Sequence, residues 1–237
     1  MPLTFDDLLA RARALTAGGR RALLGIAGSP GAGKTTLAER LVRELNGSGE
    51  PWVAHVPMDG FHLADAELER LGRRDRKGAP DTFDAAGYAA LLRRLREDAS
   101  AGSCGEGEDG MVGGSCGDGG DDGDIVYAPG FERVLEQPIA GAVPVPPTAR
   151  LVVTEGNYLL LDTGAWARVR PQLDEVWFCA LDETERIRRL VARHEEFGKA
   201  HAQAVDWVLR TDQRNAELVE RTRDRADLVV SVAELAG

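Results

Sequence analysis

The sequence predicts an α/β domain, a three-layer sandwich in which helices cover both faces of a mainly parallel sheet. Two observations support this prediction. Short runs that are apolar at every position, which is typical of strands buried on both faces, alternate with segments whose apolar residues recur at helical spacing. Strands and helices that alternate in this way form parallel sheets. A chain of 237 residues suits one such domain, and we expect residues 1–237 to form it.

The expected elements follow one another along the chain. The first helix begins after Thr4, whose hydroxyl can cap it, with Asp7 three positions later. The other helices are expected over residues 35–45, 83–95, an arginine-rich segment that ends near residue 197, and 200–221. The strands are expected over residues 22–27, 52–56, 151–154, 175–181 and 226–232.

One stretch does not fit this alternation. Residues 97–124 contain nine acidic residues and ten glycines but no lysine or arginine. Such a segment cannot bury enough apolar surface to offset its ordering entropy, so we interpret it as a flexible acidic insertion, with a regulatory or metal-binding role left open. Cys104 and Cys116 lie in it without metal-ligand spacing and are interpreted as exposed thiols, with a zinc site or disulfide as the alternative. Cys179 lies in an apolar run and is expected in the core.

Charge and hydropathy limit the classes of partner. The formal net charge is −10, and because nine acids lie in the insertion, the rest of the chain is close to neutral. No basic surface is required by the composition, so we expect no nucleic-acid partner. No apolar run reaches the roughly 18 residues of a membrane span, and the N-terminus does not have a signal-peptide pattern. We therefore expect a cytoplasmic protein with a small-molecule substrate and no membrane partner; a homo-oligomer is compatible with the sequence.

The strongest motif follows the first predicted strand. Residues 28–35 match the P-loop pattern G-x-x-x-x-G-K-[ST], with a strand before it and a helix after it, which makes the predicted fold a P-loop NTPase sandwich. In such a loop, successive N–H groups and the helix N-terminus bind phosphates. Lys34 would lie by the β- and γ-phosphates of ATP, and the Thr35 hydroxyl would bind Mg²⁺. The predicted nucleotide-binding residues are Gly28, Ser29, Pro30, Gly31, Ala32, Gly33, Lys34, Thr35 and Thr36.

Two carboxylates stand at predicted strand ends, where ligands gather in such sheets. Asp59 follows the second strand and can accept the proton of an attacking hydroxyl. It could instead form a turn before Gly60 or bind a water of the Mg²⁺. Glu155 ends the third predicted strand and is a candidate to bind Mg²⁺ or its waters, the alternative being an ordinary charge at a strand end.

The helix before residue 197 is rich in arginine. Arg189 and Arg193 are four residues apart and share one face, with Arg186 one turn earlier. Three guanidinium groups on one face repel each other unless an anion joins them, and a triphosphate is such an anion. The alternative is a solvated face paired with neighbouring acids; His194 alone would be an ordinary surface histidine.

Taken together, the motifs resemble the uridine kinase, phosphoribulokinase and bacterial pantothenate kinase group of P-loop kinases, closest to the nucleoside/nucleotide kinase branch that includes fructose transport system kinases. The resemblance rests on the P-loop with residues 58–62 (MDGFH), 76–84 (RKGAPDTFD) and 154–160 (TEGNYLL). It implies ATP and Mg²⁺ as cofactors and the following roles by position. These are Asp59 as catalytic base, Asp81 and Tyr127 as acceptor contacts, Glu155 at Mg²⁺, Arg189 and Arg193 as lid arginines, and Asn215 and Asp227 near the nucleotide base.

Three departures from the family pattern lie on the acceptor side and in the lid. They are Phe61-His62 after the second strand, residues 128–133 after Tyr127, and residues 189–194 in the lid. We therefore predict an ATP-dependent small-molecule kinase whose acceptor, held between Asp59, His62, Asp81 and Tyr127, is a nucleoside, a sugar or a pantothenate-like acid. The alternatives are an ATP-hydrolysing switch that acts on a partner and a degenerate kinase that only binds. A GTPase is disfavoured because the sequence contains no Asn-Lys-x-Asp motif.

Overall fold

The structure is a computed structural model that describes residues 3–97 and 124–233. The α-helices are α1 (Phe5–Ala14), α2 (Lys34–Asn46), α3 (Asp65–Arg70), α4 (Ala85–Glu97), α5 (Glu183–Glu196), α6 (His201–Trp207) and α7 (Gln213–Glu220). The β-strands are β1 (Ala22–Gly28), β2 (Val53–Pro57), β3 (Val126–Glu132), β4 (Gln137–Val145), β5 (Leu151–Gly156), β6 (Glu175–Ala180) and β7 (Leu228–Ser231). None of the helices in these two ranges is long and apolar enough to cross a membrane.

Five strands form the central sheet in the order β2-β5-β1-β6-β7, and every neighbouring pair is parallel. The predicted fold class is confirmed. The strand β5 lies between β1 and β2, so that Glu155 is paired with Ile26 on one side and with Pro57 on the other. This register places the ends of β1, β2 and β5 at the same edge of the sheet.

Each face of the sheet packs against its own set of helices. Side chains alternate between the two faces of a strand, so the neighbours Leu23 and Leu24 of β1 belong to different hydrophobic clusters. The helices α1 and α2 cover the face of Leu24, and α4 covers the face of Leu23. Cys179 is buried in the cluster that contains Leu24, as predicted.

The structure differs from the predicted elements in three places, of which the first is the short helix α3 (Asp65–Arg70), which was not predicted. The antiparallel hairpin β3–β4 was not predicted, because its prolines and glycines and a bulge between Ala128 and Gly130 interrupt the pattern of a strand. The helix expected over residues 200–221 is instead α6 and α7, joined by a π-helical turn at Val208–Asp212. The predicted insertion, with Cys104 and Cys116, lies almost wholly outside the described residues, so its interpretation stays a prediction.

Candidate active site

The loop between β1 and α2 has the backbone that its glycines allow. Gly28, Gly31 and Gly33 have φ values of +146°, +78° and +87°. A side chain at Gly28 would lie 2.8 Å from the carbonyl oxygen of Cys179, so close approach to β6 also requires glycine there. Gly33 caps α2 without any side-chain hydrogen bond, which leaves the first N–H groups of this helix available to an anion.

The predicted loop residues do not all face the same space. Pro30, Gly31, Lys34 and Thr35 line a cleft at the edge of the sheet, whereas Thr36 is exposed in the first turn of α2. The side chains of Ser29 and Ala32, which belong to the same loop, are buried in the protein. The Ser29 hydroxyl donates to Oε1 of Glu220 on α7 at 2.6 Å, which fixes the loop to that helix.

Lys34 supplies a buried positive charge at the base of the cleft. Its side chain is 8% exposed, and Nζ donates to the carbonyl oxygen of Ser29 at 3.0 Å. Burial lowers the pKa of Lys34, and the charge of Glu155 opposes this effect. The ammonium group thus donates to one neutral acceptor, and an anion bound beside it would stabilise its buried charge.

Glu155 is the central acid of the site. It is 4% exposed, and Oε1 accepts a hydrogen bond from the Thr35 hydroxyl at 3.1 Å. Burial and, to a smaller extent, the charge of Asp59 raise the pKa of Glu155 to about 7, although the charge of Lys34 opposes both effects. A buried carboxylate of this kind is stabilised by a cation beside it.

Asp59 lies in a 3₁₀ turn, Met58–Phe61, that directly follows β2. The turn is fixed by His62, whose Nδ1 donates to the carbonyl oxygen of Asp59 at 2.9 Å. The His62 ring packs at a tilt of 40° against Phe83, with centroids 3.9 Å apart, and contacts the ring of Phe131 of β3 at 4.9 Å. Burial lowers the pKa of His62, so the neutral imidazole is favoured and its other nitrogen can accept a hydrogen bond.

These groups share one cleft of about 310 Å³. Of the predicted site residues it brings together Pro30, Gly31, Lys34, Thr35, Asp59, His62, Glu155, Arg193 and Asn215. The cleft also has charged and aromatic lining residues that the sequence analysis missed, among them Arg74, Lys77, Phe131, Arg133, Lys199 and Trp207. A basic run over residues 73–77 was a usable signal for two of them, but Phe131 and Arg133 depend on the unpredicted hairpin.

The arginine-rich helix α5 packs against the phosphate-binding loop. Arg186 is 3% exposed and donates to the carbonyl oxygen of Pro30 at 3.4 Å, and Leu190 lies 2.7 Å from where a Gly31 side chain would begin. Arg193 lines the cleft. Arg189 does not line it, because its Nε donates to Glu185 at 2.7 Å, the intrahelical ion pair that was the alternative interpretation.

Besides Arg189, three further residues with roles implied by the resemblance do not line the cleft. Asp81 is paired with Arg76 at 2.6 Å. Tyr127 is 60% exposed and does not line the cleft, whereas Phe131, four residues later in β3, does. Asp227 accepts from the backbone N–H of Val176 at 2.7 Å and so joins the start of β6 to the segment before β7. These placements correct the expectation that Asp81 and Tyr127 border the same space as Asp59.

Asn215 lines the cleft but acts within the protein as well. Its Nδ2 donates to the carbonyl oxygen of Gly78 at 3.3 Å, and the hydroxyl of Tyr158 donates to the same oxygen. The cleft-lining segment Lys77-Gly78 is therefore tied to both α7 and the end of β5.

A parallel sheet with a P-loop after β1, a carboxylate directly after β2 and another at the end of β5 defines a P-loop protein of the kinase type. The comparisons agree. A Schizosaccharomyces pombe protein named as a candidate uridine kinase is 28% identical over 98% of this chain and 92% of its own length. An ATP-dependent kinase-like protein of Aspergillus versicolor, notR', is 31% identical over 70% of this chain and 88% of its own. The chain belongs to the uridine kinase and pantothenate kinase group of P-loop kinases.

The structural comparison places the chain in the same group. The crystal structure of a candidate fructose transport system kinase from Silicibacter sp. TM1040 matches 96% of this chain and 98% of its own, with 32% identity and a TM-score of 0.77. The family model described as methylmalonyl Co-A mutase-associated GTPase MeaB matches residues 5–60. That segment contains the P-loop and ends at Gly60, before the hairpin and α5.

Proposed function

We propose that this protein transfers the γ-phosphoryl group of ATP·Mg²⁺ to a hydroxyl group of a small molecule. The observation that supports the proposal most is that Asp59 lines the same cleft as Lys34 and Thr35 of the phosphate-binding loop. A P-loop alone binds and orients a nucleotide. A second carboxylate beside a cleft with an aromatic wall adds a place for an acceptor and a base for its proton.

The residues present fit a magnesium ion. Glu155 and the Thr35 hydroxyl offer two oxygen donors in contact with each other, and the burial that raises the pKa of Glu155 would be offset by a cation beside it. Within residues 3–97 and 124–233, no cluster of three or more acids, histidines or cysteines forms a complete protein cage. Mg²⁺ typically uses one or two protein ligands together with phosphate oxygens and water. Bound there, it would offset the negative charge of the phosphates.

In the proposed step, the acceptor oxygen bonds to the γ-phosphorus while the bond from that phosphorus to the β–γ bridging oxygen breaks. The proton of the acceptor hydroxyl passes to the carboxylate of Asp59, and ADP leaves with the bridging oxygen. Lys34 and Arg193 stabilise the negative charge spread over the phosphate oxygens. His62 holds the turn that carries Asp59 through its bond to the Asp59 carbonyl oxygen.

The test is an ADP-release screen over nucleosides, sugars, sugar phosphates and pantothenate, followed by Asp59→Asn. We expect kcat to fall by roughly 10²–10⁴-fold, the range for a positioned base, with nucleotide affinity nearly unchanged. Asp6→Asn, an exposed aspartate of α1, is the matched control. Wild-type turnover in Asp59→Asn would refute the role of the base. ADP release that no acceptor accelerates would instead favour the ATP-hydrolysing alternative.

A further inference from the structure

We propose that the acceptor carries an anionic group, a carboxylate or a phosphate, and that Arg133 is the residue that recognises it. This inference rests on the proposed kinase function and specifies its substrate class. It follows from where the hairpin lies, from which cations of the cleft already have partners, and from the chemistry of the guanidinium group.

The hairpin places Arg133 on the side of Asp59. Gly60 packs so closely on the hairpin that a Cβ at this position would lie 2.6 Å from the carbonyl carbon of Pro129. Arg133 lies four residues after Pro129 on the hairpin. Phe131, between these two residues, contacts the His62 ring. Arg133 and Phe131 both line the cleft. Arg133 therefore faces the cleft from the wall that carries the proposed base, and α5 supplies another wall.

The charge of Arg133 is not matched by a carboxylate. Within residues 3–97 and 124–233 it forms no ion pair, whereas Arg74 and Lys77 both bind the carboxylate of Asp65, each at 2.7 Å. Its charge lowers the pKa of the buried Glu155, so the guanidinium lies within electrostatic reach of that carboxyl group. Six cations and four carboxylates line the cleft, and this leaves an excess of positive charge.

Arginine is suited to this role because its planar guanidinium donates two parallel hydrogen bonds to a carboxylate or a phosphate. The side chain is exposed at the hairpin end, so its guanidinium is desolvated only when an acceptor binds. A neutral alcohol would leave this guanidinium without a charged partner, whereas a carboxylate or a phosphate would pair with it. The acceptor hydroxyl and the anionic group must then be separated by about the distance between Asp59 and Arg133.

The first experiment does not need the acceptor. Inorganic phosphate is titrated by calorimetry into full-length protein saturated with a non-hydrolysable ATP analogue and Mg²⁺. We expect phosphate to bind, with at least about tenfold weaker affinity in Arg133→Ala, partial retention in Arg133→Lys, and no change in Arg13→Ala, an exposed arginine of α1 outside the cleft. The affinity for the analogue should be the same in all four proteins. Absence of phosphate binding in the wild type, equal binding in Arg133→Ala, or a loss confined to the nucleotide would overturn the inference.

The second experiment uses matched acceptors and separates the two proposals. Polyols are compared with the corresponding hydroxy acids, and free sugars with sugar phosphates, which also distinguishes carboxylate from phosphate. We expect the anionic member of a pair to be preferred, and Arg133→Ala to raise its KM at least about tenfold with a smaller change in kcat. Preference for neutral acceptors, unaltered by Arg133→Ala, would refute the inference and leave the kinase function standing. No acceleration by any compound would refute the kinase function, and the phosphate titration would still decide the charge of the pocket.

Discussion

The close packing of Gly60 on the hairpin makes Gly60→Ala a sharp test of how the acceptor side is built. The added methyl group would lie 2.6 Å from the carbonyl carbon of Pro129 and 3.1 Å from the nitrogen of Gly130, and it would overlap the Pro129 oxygen. These are backbone atoms, so no side chain can rotate away. Ordinary carbon–carbon contacts are about 3.5–4.0 Å, so the hairpin or the turn must retreat by about 1 Å. Phe131 and Arg133 move with the hairpin.

Two effects should follow from this displacement. Overpacking costs about 1–3 kcal/mol, which for a chain of this size lowers Tm by roughly 2–12 °C. A misplacement of about 1 Å costs up to about 10²-fold in phosphoryl transfer. Binding of the ATP analogue should be preserved, because the phosphate-binding loop is not part of the hairpin. The measurements are thermal unfolding and the ADP-release assay with the acceptor found in the screen. Gly18→Ala, where no atom lies within 4 Å of the new methyl group, is the control. Unchanged Tm and acceptor KM in Gly60→Ala would refute the tight docking of the hairpin.

Two further predictions concern other parts of the molecule. Burial lowers the pKa of His55 to about 4, and its Nε2 has no hydrogen-bond partner among the described residues. In the unfolded chain His55 binds a proton near pH 6.5, so its burial should lower the wild-type free energy of unfolding by at most about 3 kcal/mol as the pH falls from 6.5 to 4. His55→Leu should remove that loss, and urea unfolding of both proteins from pH 7 to 4.5 measures it. Parallel pH profiles of the two proteins would contradict this prediction. Phe131→Ala should raise the acceptor KM without weakening nucleotide binding, whereas Tyr127→Ala should leave both unchanged; an equal effect of Tyr127→Ala would restore the role that the family resemblance implies.

The parts of the site that could be predicted from sequence are those contiguous with buried strands. The P-loop is one unbroken motif after β1, and Asp59 and Glu155 follow apolar runs whose parallel packing brings their ends together. Contacts between residues that are distant in sequence could not be predicted. Arg133 belongs to a hairpin whose pattern is broken by proline, glycine and a bulge. For Arg189 the helical spacing allowed two outcomes, a phosphate or a neighbouring acid, and the structure has the pair with Glu185 four residues earlier.

The hairpin also has a consequence for how such a kinase can change over time. Its base is anchored where Val126 pairs with Val145, both of them fully buried, whereas its tip, residues 133–136, is exposed. Substitutions at the tip disturb no buried side chain, and the residues proposed to bind the triphosphate lie on other elements. Under the proposed function, substitutions at these few exposed positions would change which acceptor is preferred and would leave the phosphate-binding loop unchanged.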